Sequence, residues 1–156
     1  MSTFVSRVQV GVPAEVLFEW HARPGAFHRL VPPWEDVRLI SSDDSVPNGA
    51  RTVFDIRIGP IWRRWIAEHR HFESGRQFQD VQIQGPFARW VHTHRIEPVG
   101  QSDCTLEDHI EFELPFGLIG SLADRMIQRQ LARTFDYRHR LTQNDVHFHW
   151  QRKDSP

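Results

Sequence analysis

One cysteine, Cys104, is all that 156 residues contain. A lone thiol rules out an intramolecular disulfide and a cysteine-rich zinc site, and it suits a reducing cytoplasm. Long apolar runs are missing as well. No stretch approaches the ~18 consecutive apolar residues that span a bilayer, and the N-terminal Met1-Ser-Thr-Phe-Val-Ser-Arg lacks the apolar core of a signal peptide. Nor is there an excess of charge: 19 Lys and Arg against 20 Asp and Glu leave a net charge of −1. No overall field therefore draws the chain to nucleic acid or to anionic lipid. Internal repeats are absent, and only the tail after Trp150 is of low complexity. The expectation is a cytoplasmic protein without nucleic-acid partner or membrane insertion, a single domain over residues 1–150 followed by a polar tail, 151–156.

What is present is apolar and aromatic enough for a proper core. Hydrophobic residues make up 39% of the chain, and 11 Phe and 6 Trp outnumber a single Tyr. Aromatics at this density fill a core or wall a wide pocket. Ten histidines are the other excess.

Strand-like alternation opens the chain at Thr3–Val10, with Phe4, Ser6, Val8 and Val10 on one face. Pro13 starts a helix that carries Val16, Leu17 and Trp20 and stops at Arg23-Pro24-Gly25. A second short turn holds Phe27, Leu30 and Val31. Strands then follow at about 35–42, 50–58, 61–73, 76–84, 88–97 and 104–114, divided by Gly, Pro, Asn and Asp turns. Such short links force an antiparallel meander. Beyond Pro115-Phe116-Gly117, the residues Ile119, Leu122, Ala123, Met126, Ile127, Leu131 and Phe135 form one apolar stripe of a long helix. Thr142-Gln-Asn-Asp145 reads as a capping box that begins a last short helix. The fold class is α+β: a curved antiparallel sheet of about seven strands wrapped around a long C-terminal helix, with two short helices after the first strand.

Turn lengths set strand parity, and parity sets what faces the helix. With Glu73-Ser74-Gly75-Arg76 as the turn, Phe72 pairs with Gln77 and His69 lies opposite Asp80. Trp65, Ala67, His69 and His71 then share a face with Phe78, Asp80 and Gln82. A three-residue Gly85-Pro86-Phe87 loop adds Trp90, His92, His94 and Ile96. On the last strand Leu106, Asp108, Ile110 and Phe112 must point inward. Four histidines, two aspartates and a glutamine thus converge beneath the helix, a costly set to bury unless its members pair with one another, with water or with a ligand.

At these residues the chain resembles the START-like or SRPBCC superfamily, whose members share a helix-grip fold. The resemblance rests on Phe78-x-Asp80-x-Gln82-x-x-Gly85-Pro86-Phe87-x-x-Trp90-x-His92-x-His94. Trp20-His21-x-Arg23-Pro24-Gly25-Ala26-Phe27, Pro32-Pro33-Trp34 and Phe135-x-Tyr137-Arg138-His139 extend it, from residue 3 to about 149. It implies a cavity for a small hydrophobic or amphipathic ligand, such as a lipid, isoprenoid or polyketide. It also implies kinship with polyketide cyclases and dehydratases, and with domains fused to an epimerase-like dehydrogenase, a protein that is one possible partner.

Four chemistries remain open for the polar set. It forms a hydrogen-bonded network that orders the sheet, or part of it holds the polar end of a ligand. The candidate ligand-binding residues are Trp65, His69, Phe78, Asp80, Gln82, Trp90, His92, His94, Asp108, Ile110, Phe112 and Met126. Alternatively His69 or His92 beside Asp80 acts as a general base in a cyclase or dehydratase. Last, His69-x-His71 and His92-x-His94, each pair about 7 Å apart along a strand, hold a metal with Asp80. Non-enzymatic binding is the first reading, with no cofactor and no metal. Leu114–Ile119, with Gly117 and Gly120, is the expected cavity mouth. His147 and His149 point apart on a helix and are read as surface.

Overall fold

The computed structural model describes residues 1–43, 47–115 and 121–153. Seven strands form one antiparallel sheet: β1 Ser2–Val10, β2 Val37–Ser42, β3 Arg51–Ile58, β4 Ile61–Glu73, β5 Gln77–Gln84, β6 Arg89–Pro98 and β7 Cys104–Glu113, in the order β1-β7-β6-β5-β4-β3-β2. Two short helices, α1 Ala14–Ala22 and α2 Ala26–Arg29, fill the crossover from β1 to β2, and α3, Ser121–Lys153, is the C-terminal helix. The sheet curves around α3, the helix-grip arrangement expected from the sequence. No described helix is long and apolar enough to cross a membrane.

Parity holds on β1, β6 and β7. Phe4, Ser6 and Val8 are half-buried and Val10 buried, while Thr3, Val5, Arg7 and Gln9 are exposed. His92, His94 and Ile96 are buried on β6, as are Leu106, Asp108, Ile110 and Phe112 on β7. His69 pairs with Asp80 across β4 and β5.

Three expectations fail. A β-bulge between Arg70 and Glu73 shifts the register, so Gln77 pairs with Glu73 and not with Phe72. His71 takes a positive φ of 49° and turns out to solvent. Phe72 turns in instead, its ring 5.7 Å from that of Phe18. The bulge is pinned from a distance, because the freed N–H of Phe72 donates to Asn48 Oδ1 at 2.9 Å. The second correction is α3. It is one continuous helix of 33 residues, ~50 Å long at 1.5 Å per residue. Thr142 is no cap but sits mid-helix, fully buried, and no Gly or Pro interrupts the segment. Third, the expected α3 stripe holds at Leu131 and Phe135, which are buried, and continues through His139, Thr142 and Val146, but it fails at one residue. Met126 lies off that line and is 67% exposed. The proposed mouth lies mostly outside the described residues: only Leu114 and Pro115 of it, both half-buried, fall within them.

Candidate functional site

A cavity of about 130 Å³ opens between the α1–α2 connection and the β3–β6 part of the sheet. Phe27, Leu30, Phe54, Ala67 and Phe78 give it an apolar side. His21, Thr52, His69, Asp80 and His94 give it a polar one, and Arg23 and Arg138 complete the lining. Cross-strand pairing aims the polar groups. Asp80 stands opposite His69 on one side and His92 on the other, and His94 stands opposite Asp108. Directly opposed side chains lie close enough to touch.

Two aspartates tie the cluster together. Asp80 accepts from His69 Nε2 at 2.8 Å and from His94 Nε2 at 3.0 Å. Asp108 accepts from His92 Nε2 at 2.8 Å and from His139 Nε2 at 2.7 Å. His94 Nδ1 is also 3.0 Å from Asp108 Oδ1. That is ion-pair distance, but the N–H is poorly aimed and this buried nitrogen makes no well-formed hydrogen bond. His139 Nδ1 lies 3.4 Å from Ser6 Oγ, in a groove between β1 and α3 on the far side of the network. A continuous chain of imidazoles and carboxylates thus runs from the cavity to that groove.

Environment sets the charges. Burial disfavours the imidazolium of His94, but the carboxylates of Asp108 and Asp80 outweigh it and raise its pKa to about 9. Its ring stacks on Phe78 with centroids 4.4 Å apart, a favourable place for a cation. His92 is lowered to about 4, by burial first and then by the charge of His94. His21 falls to about 4 for the same two reasons, and its Nδ1 donates to the Leu17 carbonyl at 3.1 Å. A neutral His21 therefore keeps Nε2 as an acceptor. Burial alone would raise both aspartates. Hydrogen bonds from His69 and His94 hold Asp80 well below the usual carboxylate range, and those from His139 and His92, with the adjacent charge of His94, do the same for Asp108.

Of the twelve residues expected at a ligand, four line the cavity: His69, Phe78, Asp80 and His94. His92 and Asp108 lie behind them as buried members of the network. Trp65, Trp90 and Phe112 pack with Phe54 and Phe87 into an aromatic cluster, ring centroids 4.8–6.2 Å apart, that fills the space beside the cavity. Ile110 is core next to Phe135. Gln82 is occupied locally: its side chain donates to the Phe87 carbonyl at 2.8 Å and accepts from the Phe87 N–H at 3.3 Å. Met126 faces solvent.

With His71 turned out, the four-imidazole metal arrangement does not form. Asp80, His92 and His94 do bring ligand atoms within 4.8 Å of one another, and a cation there would displace their present hydrogen bonds. His147 is exposed, as expected, and hydrogen-bonds Gln151.

His21 and His139 were not among the expected site residues. Both follow a buried residue by four positions on a helix, Leu17 and Phe135, and that spacing was the available signal.

Residues 10–136 match the sequence profile of the family described as polyketide cyclase / dehydrase and lipid transport. No curated protein matches the chain significantly. Among solved structures, the chain is similar to a START superfamily protein from Mycobacterium smegmatis, at 16% identity and a TM-score of 0.69, covering 93% of this chain and 97% of that one. It is similar to the Zhui aromatase/cyclase from Streptomyces sp. R1128, at 14% identity and a TM-score of 0.68, covering 94% and 93%. It also resembles part of a nucleoside-diphosphate sugar epimerase from Corynebacterium glutamicum, at 23% identity and a TM-score of 0.70, covering 93% of this chain but 29% of that one. At these identities the likeness is one of fold.

Proposed function

Because the chain belongs to the polyketide cyclase / dehydrase and lipid transport family, we propose that it is a binding protein for a small amphipathic molecule, held in the cavity between the α1–α2 connection and the sheet. One observation carries the reading: a single cavity sets aromatic walls, Phe27, Phe54 and Phe78, against the hydrogen-bonding groups of His69 and Asp80. Ligand sites commonly combine apolar lining with a few placed polar groups.

Size narrows the ligand. An apolar cavity of ~150 Å³ holds benzene, so about 130 Å³ suits one ring, smaller than the lipid or polyketide that the family name brings to mind. Burying roughly 150 Å² of ring at ~25 cal/mol per Å² yields ~4 kcal/mol, which corresponds to about millimolar affinity. Tighter binding requires the polar wall. The test is native purification followed by mass spectrometry of extracted small molecules. A co-purifying one-ring compound is expected, and its loss in Asp80→Asn would tie it to this wall. An empty extract, together with no binding of single-ring probes, would sink the reading.

A second reading, an acid–base enzyme of the cyclase or dehydratase type, is favoured by Asp80 being 26% exposed in the cavity while it orients His69. Turnover that vanishes in Asp80→Asn with ligand binding and melting temperature intact would select it. The epimerase containing this fold as 29% of its length supports an epimerase- or dehydrogenase-like partner, which co-purification tests. The buried free thiol of Cys104 accords with the cytoplasmic site of action that we assign.

A further inference from the structure

Arginine charges are distributed unevenly with respect to burial. Among arginines whose side chains are described, three are half-buried: Arg23, Arg95 and Arg138. Arg95 pairs with Glu107 at 3.1 Å. The other two both line the cavity, and neither forms an ion pair among the described residues. Arg23 Nε is buried with no hydrogen-bond partner. Its guanidinium carbon lies over Trp20, 4.7 Å from the ring centroid. Arg138 donates from Nε to the Leu30 carbonyl at 3.2 Å, and its guanidinium carbon is 5.2 Å from the Phe135 centroid.

A guanidinium drawn part-way out of water loses hydration that an aromatic face replaces only in part. Its best partner is an oxyanion met in a bidentate fork. Asp80 does not serve that role, because its two oxygens are taken by His69 and His94. Charge points the same way. Asp80 and Asp108 supply two negative charges, His94 one positive and the two arginines two more, so the cavity and its network together hold one positive charge in excess. A singly charged anion balances it. A phosphoryl dianion would overshoot, beside the Asp80 carboxylate.

We propose that Arg23 and Arg138 form the anion-recognising side of this cavity, and that its ligand is a carboxylic acid built on one flat ring. The inference rests on the cavity being a ligand site, as proposed above, and specifies its substrate class.

Calorimetric titration of the full chain with benzoate, benzyl alcohol and phenyl phosphate tests it, using wild type, Arg23→Gln, Arg138→Gln and Arg138→Lys, with melting temperatures measured in parallel. Benzoate is expected to bind at least tenfold more tightly than benzyl alcohol. Each Gln variant should weaken benzoate roughly tenfold to a hundredfold and leave benzyl alcohol unchanged, with Arg138→Lys between. If a Gln variant fails to fold, Arg138→Lys and the comparison of probes on wild type carry the test. Equal binding of benzoate and benzyl alcohol, unaffected by the variants, would overturn the anion assignment while leaving the ligand site standing. Tighter binding of phenyl phosphate would overturn the carboxylate class. Binding of none of the three would overturn both this inference and the reading beneath it.

Discussion

His94 sits between two carboxylates, 3.0 Å from an oxygen of each, with a phenyl ring stacked on one face. Asp108 is the residue on which this depends, since its oxygens also hold His92 and His139. Replacing Asp108 with Asn keeps the shape and removes the charge. His94 should then titrate well below its present value of about 9. Folding stability at neutral pH should fall by about 3–5 kcal/mol, the usual cost of stripping one partner from a buried ion pair. Imidazole NMR titration and urea unfolding measure the two effects. An unmoved His94 titration would mean that Asp80 alone sustains the proton.

At the scale of the element, α3 shows where a stripe is energetically real. Phe135 is 2% exposed, against Phe4 and beside His92, whereas Met126 is 67% exposed. Phe135→Ala should cost about 3–5 kcal/mol. Met126→Lys should stay within about 0.5 kcal/mol of wild type. Thermal unfolding of the two variants checks the contrast, and comparable losses would refute the orientation given to the helix.

Met126 also marks a boundary of what could be read in advance. Strand parity was legible on β6 and β7, because a short loop sets β6 against β5 and Asp108, Ile110 and Phe112 have only one face to choose. The rotation of α3 about its own axis was not, since it is set by packing against a sheet folded elsewhere in the chain. The same reason hid His139 and His21. The bulge at His71 depends on Asn48, far off in sequence. Gln82 was rightly placed on its strand, but its side chain curls back against Gly85 and Phe87, a choice no alternation pattern records. The polar set was therefore foreseeable as a cluster. Its division into cavity wall, inner network and local turn was not.

At the scale of the whole molecule, the buried network should govern how stability varies with pH, because the exposed ion pairs contribute little. In the folded state His94 holds its proton up to about 9, whereas an unfolded imidazole releases it near 6.5. Its stabilisation is complete below pH 6.5 and is lost as pH rises through 9. His21 and His92 behave oppositely. Lowered to about 4, they refuse protons that the unfolded chain accepts, so stability is lost as pH falls from 6.5 toward 4. Asp80 and Asp108, held low by their histidines, contribute above the usual carboxylate range and erode stability further in acid. Each histidine shift of this size represents on the order of 3 kcal/mol. The two slopes meet near pH 6.5, where urea unfolding should give its highest midpoint, with lower values at pH 4.5 and at pH 9.5. A midpoint at pH 9.5 equal to or above that at 6.5 would show that His94 is not protonated in the folded chain. The two carboxylates would then be held by the N–H groups of neutral imidazoles alone.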